Sequence, residues 1–300
     1  MQIRNDISKE DCKKLSIKIK DEFYRPVNEY KSTIFLCGAD LKQKDKMRSQ
    51  FADLIMNDWL NSFYYDIIFP EDIFDDLLYS SKRRDLLSLE NMLAESVDVI
   101  VLIPESPGSF AELGAFANDA KLREKIICIL DKQYKKDKSF INEGPVKLIR
   151  KHNKDGLIFA DPKNLDDSVE KLKSAIKKLK KTSSKRTDKI SLLQLENYIL
   201  PSIFLLEPVS KEVLQELTGF ATEDKRNSYQ ATTTALTALT KKRKIEMSSE
   251  GYRLTSTGLD SFFNLKKTSS SVKSIDETIA LDNIRLEILN YKLRNKKLRV

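Results

Sequence analysis

The chain has 300 residues, of which 40% are hydrophobic and 33% are charged, and its formal net charge at pH 7 is +8. This length and apolar content predict about two domains, each with a core of its own. No apolar run approaches the roughly 18 residues of a membrane-spanning helix, and no apolar segment follows the charged N-terminus. We therefore predict a cytoplasmic protein that does not interact with a membrane.

One histidine and three cysteines limit the chemistry that the chain can perform. His152 alone cannot build a histidine-based triad or a histidine-rich metal centre. Cys12, Cys37 and Cys128 are far apart, and the last two lie in apolar runs, which favours buried thiols over disulfides. Acid–base chemistry must then come from carboxylates, and we expect neither a metal nor a bound cofactor.

The first half of the chain alternates short apolar runs with helical patterns. "STIFLCGAD" at residues 32–40 predicts a strand that ends at Gly38, and similar runs follow in "YYDIIFPED", "VDVIVLI", "KIICIL" and "GLIFA". Continuous apolar strands separated by helices indicate a parallel sheet that is covered on both faces. We predict a flavodoxin-like, doubly wound α/β domain over residues 32–182, preceded by a helical segment at residues 1–31.

The second half has a different pattern. The polar run "KTSSKRTDK" predicts a linker, after which come helices, two short strands around Gly251 and a further helix. This order predicts a winged helix-turn-helix domain over residues 183–268. A C-terminal helical tail over residues 269–300 carries one predicted apolar stripe, formed by Ile284, Leu286, Ile288, Leu289 and Leu293.

Basic residues on the predicted recognition helix and wing are candidates for phosphate contacts. They are Lys225, Arg226, Lys241, Lys242, Arg243, Lys244 and Arg253. A solvated surface or a protein–protein interface explains the same charges equally well. Phosphate contacts predict binding that weakens steeply as the salt concentration rises, whereas a flat salt response favours a protein partner.

The segment "PESPGSFAELGAF" at residues 104–116 has two interpretations. Ser109 and Glu112 have the Ser-x-x-Glu spacing of a capping box, in which each side chain satisfies a backbone N–H at a helix start. Alternatively, Glu112 is a carboxylate nucleophile, held ionised in the first turn of the helix by free amides and the macrodipole. The capping interpretation is the usual one for such a spacing, so the choice depends on what surrounds the segment.

Acidic residues follow three predicted strands, in "CGAD", "FPED" and "PESPGS". Because ligands of doubly wound sheets bind outside the carboxyl ends of the strands, we expect these acids to meet there. An ionised carboxylate at that place can attack the anomeric carbon of a sugar or stabilise an oxocarbenium ion. We predict Glu112, Glu105 and Asp72 as catalytic residues. The predicted substrate-binding residues are Gly38, Asp40, Glu71, Ser106, Gly108 and Ser109.

At Gly108, Glu112, Leu113 and Gly114 the sequence resembles the nucleoside 2-deoxyribosyltransferase family, whose motif has a glycine-containing loop before Glu-Leu-Gly at a helix start. The resemblance implies that Glu112 is the nucleophile. The family usually has an aspartate six residues before its nucleophile, where this chain has Ser106. The sugar and base specificity of the family therefore does not carry over.

Over nearly its whole length the chain resembles a narrower group, the retron effector proteins that join a deoxyribosyltransferase-like domain to a winged-helix DNA-binding domain. The segments that carry this resemblance are "TIFLCGAD", "FPEDIFDDLL", "LLSLENMLAESVDVIVLIPESPGSFAELGAF", "SFINEGPVKLIRKHN" and "IRLEILNYKLRNKK". The resemblance implies an antiphage toxin held in a complex with a retron reverse transcriptase and its multicopy single-stranded DNA, a branched DNA–RNA molecule. It also implies cleavage of N-glycosidic bonds of nucleotides, with NAD as a substrate, and assembly into larger oligomers or filaments.

The enzyme hypothesis has one alternative, a binding module. In that case the α/β domain senses a nucleotide without turnover, and the winged helix binds nucleic acid. Ser106 in place of the family's aspartate and the basic runs motivate this alternative. Release of a free base that Glu112→Gln abolishes supports the enzyme, whereas tight nucleotide binding without product supports the module.

Overall fold

The computed structural model describes residues 7–57, 61–71, 94, 96–183, 190, 194–223, 225–269 and 276–297. The chain divides into two compact units. The first, which we call the sheet unit, is Lys31–Thr187. The second, which we call the helical unit, combines Met1–Tyr30 with Asp188–Val300.

The N-terminal residues form helices that precede the sheet. Helix α1 (Lys9–Ile19) begins after Ser8, whose side chain accepts a hydrogen bond from the N–H of Asp11. A π-helical turn (Lys20–Tyr24) joins it to α2 (Arg25–Tyr30).

The sheet unit contains one five-stranded sheet in which all neighbouring strands are parallel. Its strands are β1 (Ser32–Cys37), β2 (Tyr65–Ile68), β3 (Val99–Leu102), β4 (Ile126–Asp131) and β5 (Leu157–Ala160). Their order across the sheet is β2-β1-β3-β4-β5, which confirms the predicted flavodoxin-like fold. The order reverses between β1 and β3, so a ligand of this sheet is expected at the carboxyl ends of those two strands.

Helices cover the sheet. They are α3 (Met47–Met56), α4 (Asn61–Tyr64), α5 (Pro107–Asn118), α6 (Ala120–Arg123), α7 (Lys147–His152) and α8 (Asp166–Ser183). Apolar side chains of α3 and α8 form one core with alternate residues of the strands, including Phe51, Leu172 and Ile129. Helix α5 packs on α7, which contacts β4. Leu113 and Phe116 of α5 are fully buried.

The cysteines are all free and buried, which confirms that part of the prediction. Cys37 and Cys128 lie in β1 and β4, where successive residues face opposite sides of the covered sheet. Burial raises the pKa of the Cys128 thiol to about 12. The thiol is therefore protonated at neutral pH and is a poor nucleophile.

The helical unit continues after the sheet with helices and one hairpin. The elements are α9 (Glu196–Leu206), α10 (Lys211–Thr222), α11 (Lys225–Lys241), β6 (Ile245–Ser248), β7 (Gly251–Leu254), α12 (Ser256–Ser269) and α13 (Asp276–Lys297). Strands β6 and β7 pair antiparallel, and Val209 adds a bridge to Tyr252. A helix, a bridging residue, two helices and a hairpin follow the element order of a winged helix-turn-helix.

Gly251 explains how the hairpin meets the bridging residue. Its φ is +130°, and a Cβ at this position would lie 2.6 Å from the carbonyl oxygen of Val209. Only glycine allows the two backbones to approach this closely. The N–H of Tyr252 then donates to the carbonyl of Val209 at 2.8 Å.

Helix α1 is part of the core of the helical unit. Leu15 and Ile19 are fully buried in a cluster that includes Leu217 of α10. The Ser16 hydroxyl donates to the carbonyl of Leu217 at 2.8 Å, and the Tyr198 hydroxyl donates to the Ser16 oxygen at 3.1 Å. The predicted helical segment at residues 1–31 is thus built into the same compact unit as the C-terminal half.

The C-terminal helix α13 carries two apolar stripes, so the prediction of a single stripe is wrong. Ile284 and Ile288 are buried, together with Leu281 and Tyr291. The three leucines at positions 286, 289 and 293 are more than half exposed. At about 100° per residue, positions 284 and 286 lie on opposite sides of a helix, which explains the separation. In the described part of the chain, no helix is sufficiently long and apolar to cross a membrane.

Candidate active site

Helix α5 begins three residues earlier than the Ser-x-x-Glu spacing indicates. Its N-cap is Ser106 and its first residue is Pro107, whose fixed φ suits a helix start. The Ser106 side chain accepts a hydrogen bond from the N–H of Ser109, and the Ser109 side chain accepts one from the N–H of Ser106. The capping box is therefore formed by two serines, and the expectation that Ser109 and Glu112 form it is wrong.

The Ser109 hydroxyl holds the loop before α5 in shape. Ser109 is 1% exposed. Its oxygen accepts hydrogen bonds from the N–H of Glu105 at 3.0 Å and of Ser106 at 2.9 Å, and its proton goes to the carbonyl of Ser106 at 2.8 Å. The Ser109 hydroxyl thus both donates and accepts hydrogen bonds within the loop.

Glu112 lies in the second turn of α5, beyond the four amides that a helix start leaves free. The first turn of this helix contains no acidic residue, so the expectation that Glu112 lies there, beside the free amides, is wrong. The residue is half-buried, and its Oε2 atom is buried. Because Ser106 and Ser109 form the N-terminal cap of α5, the Glu112 carboxylate is not needed to cap its own helix.

Glu105 caps a different helix. Its Oε1 accepts a hydrogen bond from the N–H of Met47 at 3.0 Å, and its Oε2 accepts one from the N–H of Arg48 at 3.1 Å. These amides begin α3, for which Lys46 at the N-cap supplies no side-chain cap. A carboxylate at this place also interacts favourably with the helix dipole. Glu105 therefore joins the loop after β3 to the helix that follows β1.

Arg48 is the residue of this edge that sequence reasoning missed. Its guanidinium is buried, with 2% of the side chain exposed. Nε and Nη2 donate to the carbonyl of Leu36 at 3.1 and 2.8 Å, and Nη1 donates to the carbonyl of Ala39 at 2.8 Å. Nη1 and Nη2 also donate to Oε1 and Oε2 of Glu71 at 2.5 and 2.8 Å. The guanidinium carbon lies 5.7 Å from the centroid of the Phe69 ring.

A sequence signal for Arg48 exists. Phe51, Ala52 and Ile55 are buried residues of the same helix, three, four and seven positions later. A charged residue in register with such an apolar stripe points into the core, where it requires partners. The pattern predicts a buried ion pair but does not identify the partner, which comes from a distant segment.

Glu71 follows β2 and is half-exposed, at 48% of its side chain. Burial alone raises its pKa, but the hydrogen bonds from Arg48, a hydrogen bond from the backbone N–H of Glu71 itself and the positive charge of Arg48 together lower it by more, so the pKa of Glu71 lies below its ordinary value. The charge of Asp40 acts in the opposite direction and raises it. Glu71 is therefore an anion at neutral pH, held by a forked, two-bond contact.

The other predicted binding residues lie in the loops after β1 and β3. Asp40 is exposed and accepts a hydrogen bond from the N–H of Lys42 at 3.0 Å. A Cβ on Gly38 would lie 2.8 Å from both the Arg48 side chain and the carbonyl of Ile103, so this glycine allows protein segments to approach each other. Gly108 is exposed, and a Cβ there would have no neighbour nearer than 4.0 Å. Asp72 lies outside the described residues.

These residues line one edge of the sheet. Glu71 follows β2, Asp40 follows β1, and Glu112 lies in the helix after β3. Since β1 separates β2 from β3, the strands that precede Glu71 and Glu112 lie about 10 Å apart, two strand spacings. No group of three or more metal-binding side chains occurs within the residues that the structure describes.

The predicted phosphate contacts differ in their surroundings. Lys242 pairs with Glu196 at 2.8 Å, and Arg253 pairs with Glu250. Lys241 and Arg243 are exposed, and Lys244 is half-buried. The backbone positions of Lys225 and Arg226 start α11, but their side chains lie outside the described set.

The comparisons with known proteins agree with one another. A family described as "STM3845 retron effector protein" matches residues 44–247. The chain is 40% identical over 292 residues to an Escherichia coli protein named "Retron Ec86 putative ribosyltransferase/DNA-binding protein", which covers 92% of this chain and 90% of that protein. It is 36% identical over 124 residues to the "Retron Ec73 putative ribosyltransferase/DNA-binding protein" of Escherichia coli, covering 40% and 38% of the two chains. The chain therefore belongs to the STM3845 family of retron effector proteins.

Proposed function

We propose that the chain is a glycosyl-transfer enzyme that cleaves the N-glycosidic bond of a nucleotide, with Glu112 as the nucleophile. The observation that carries this proposal is that the two-serine cap leaves Glu112 out of the helix start. The carboxylate is half-buried at the ligand edge of the sheet. The relatives named for ribosyltransferase activity support the same class of reaction.

The proposed reaction proceeds in two steps. The Glu112 carboxylate attacks, or stabilises as an ion pair, the anomeric carbon while the bond from that carbon to the base nitrogen breaks, and the bonding electrons leave with the base. Water or an acceptor hydroxyl then attacks the same carbon and loses its proton to solvent, while the bond between that carbon and the Glu112 oxygen breaks and the carboxylate is released. Glu71 accepts a hydrogen bond from a sugar hydroxyl, because Arg48 occupies only part of its acceptor capacity.

The leaving group separates two kinds of substrate. Glu71 is ionised and paired with Arg48, and both oxygens of Glu105 accept amide N–H bonds, so neither residue is suited to donate a proton. A purine or pyrimidine leaves more easily when it is protonated. The pyridinium base of NAD leaves as neutral nicotinamide without a proton. These contacts therefore favour NAD, and Asp72 is the proposed proton donor for any substrate that needs one.

Incubation of the purified chain with NAD and with deoxynucleosides tests the proposal. We expect release of nicotinamide, loss of that release in Glu112→Gln, and unchanged release in the control Glu143→Gln, whose side chain forms an exposed pair with Lys147. Asp72→Asn should leave NAD cleavage intact but slow the cleavage of purine or pyrimidine substrates. If Glu112→Gln cleaves NAD as fast as the parent chain, Glu112 is not the nucleophile.

The biological role that we propose is a toxic effector of an antiphage retron. It is held in a cytoplasmic complex with the retron reverse transcriptase and the branched DNA–RNA molecule, in larger oligomers or filaments. Membership of the retron effector family supports this role. Metabolite profiles of cells that express the parent chain and Glu112→Gln, each with and without the other retron components, test it. We expect depletion of the substrate only with the parent chain, and suppression by the intact retron.

A second candidate function is a nucleotide-sensing and nucleic-acid-binding module without turnover. Ser106 in place of an aspartate and the exposed basic residues Lys241 and Arg243 favour it. Toxicity that survives Glu112→Gln, with tight nucleotide binding and no product, would support this function. A dissociation constant for nucleic acid that rises steeply with salt would support phosphate contacts, and a flat response would indicate a protein partner.

A further inference from the structure

Three loops at the ligand edge of the sheet are joined through one residue, Arg48. Its backbone N–H donates to Glu105 of the loop after β3. Its side chain donates to two carbonyls at the end of β1, and to both carboxylate oxygens of Glu71 after β2. Arg48, at the start of α3, therefore connects β1 to the loop after β3, and these are the two strands between which the strand order reverses.

Burial makes this arrangement rigid. Arg48 is 1% exposed as a residue, and a buried guanidinium is tolerated only when its donors have partners. Nε, Nη1 and Nη2 all donate to fixed acceptors, two of which belong to the backbone. A lysine keeps the charge but cannot reproduce the planar fork that reaches Glu71 and the carbonyls together.

The aliphatic part of the Arg48 side chain packs closely against Gly38. A Cβ on Gly38 would lie 2.8 Å from Cδ and 3.1 Å from Cβ of Arg48. The aliphatic part of Arg48 thus lies against the backbone that leaves β1, while its head meets Glu71. Because the stem and the head are both fixed, the position of the Glu71 carboxylate is set by Arg48.

We propose that Arg48 is a positioning residue for the reaction at this edge: it fixes Glu71 and the loops after β1 and β3 relative to one another, so that a sugar bound by Glu71 presents its anomeric carbon to Glu112. This inference rests on the proposed function. Arg48 touches neither the substrate nor the breaking bond, and acts through Glu71 and Glu105. Each carboxylate oxygen of Glu71 has two acceptor sites and gives one to Arg48, which leaves acceptors for a hydroxyl.

The test compares Arg48→Lys, Arg48→Met, Glu71→Gln and the double variant Arg48→Met/Glu71→Gln in the full chain, with NAD as the probe. We expect kcat/KM in Arg48→Lys to fall about tenfold to hundredfold, because small misplacements of reacting groups have effects of that size. We also expect the acid limb of the pH profile to move to higher pH in Arg48→Met, and by less in Arg48→Lys, because methionine removes both the hydrogen bonds and the charge that lower the pKa of Glu71 whereas lysine keeps the charge. Glu71→Gln should lack that limb.

A structural role alone predicts a different result. If Arg48 had only a structural role, its substitution would lower Tm and the fraction of active protein but would leave the acid limb of the pH profile in place. The double variant removes the isolated carboxylate together with the guanidinium, so it should recover much of the Tm lost in Arg48→Met without recovering kcat/KM. Arg150→Met, at an exposed position of α7, is the matched control and should behave as the parent chain.

The outcomes separate this inference from the proposed function. If the parent chain releases no nicotinamide and no other base, the proposed function fails and the inference fails with it. If the parent chain is active and Arg48→Lys keeps its kcat/KM and pH limb, the inference alone is overturned. A loss of kcat/KM in Arg48→Lys with a shifted limb supports both.

Discussion

The Glu105 carboxylate, in the loop after β3, caps helix α3, and its removal tests how much this cap contributes to stability. Each hydrogen bond to a charged group contributes about 1.5–3 kcal/mol, and replacing a helix cap by alanine costs about 0.5–2 kcal/mol. Glu105 makes two such bonds and is half-buried. We expect Glu105→Ala to lower the free energy of unfolding of the sheet unit by about 2 kcal/mol, which is about 4–8 °C in Tm. Glu105→Gln keeps one acceptor oxygen, so about half of this loss is expected.

Urea unfolding followed by circular dichroism measures this loss. Glu143→Ala removes an exposed carboxylate that pairs with Lys147 four positions away and should have a negligible effect. If Glu105→Ala and Glu143→Ala unfold at the same urea concentration, the cap contributes no stability and the argument about α3 is refuted.

For other substitutions the structure predicts whether the stability rises or falls. Gly251→Ala should destabilise the helical unit by about 1–3 kcal/mol, because the new Cβ meets the carbonyl of Val209 and φ is positive. Gly114→Ala should stabilise α5 by about 0.5–1 kcal/mol, because no atom lies within 4 Å of the new Cβ. Thermal unfolding measures both changes. Arg243 has a φ of +54°, so Arg243→Gly should raise the stability by up to about 1 kcal/mol and, if this residue contacts a phosphate, reduce the salt slope of nucleic-acid binding by about one. The lowered pKa of Glu71 contributes stability above the pKa that it has in the unfolded chain, and this stability is lost as the pH falls through the folded value. The Tm of the parent chain should therefore fall more steeply than that of Glu71→Gln below a pH of about 4.3.

The sheet was predictable because its signals are local. Each strand is a continuous apolar run, and the helices between them have regular apolar spacing, so the parallel sheet and the position of its ligand edge follow from general rules. The acids at the strand ends were identified for the same reason. Their partners were not, because Arg48 meets Glu71 across 23 positions and Glu105 meets Met47 across 58 positions of the sequence.

Two errors have the same physical origin. Ser109 and Glu112 have the spacing of a cap, but Ser106 has an equivalent spacing to Ser109, and Pro107 favours the earlier start. The single apolar stripe predicted for α13 places Ile284 and Leu286 on one face, although they are two positions apart and thus on opposite faces. Spacing alone leaves such choices open, and the packing of distant segments decides them.

The order in which the two units are completed during synthesis follows from the place of α1. Its apolar residues emerge first, but the helices that cover them are encoded after residue 187. At about 5–20 residues per second, translation of the intervening segment takes roughly 8 to 30 s. At the end of that interval the sheet unit has its full sequence, while Cys12, Leu15 and Ile19 are still uncovered. The nascent chain thus possesses every residue of the candidate site before its own first helix finds its partners.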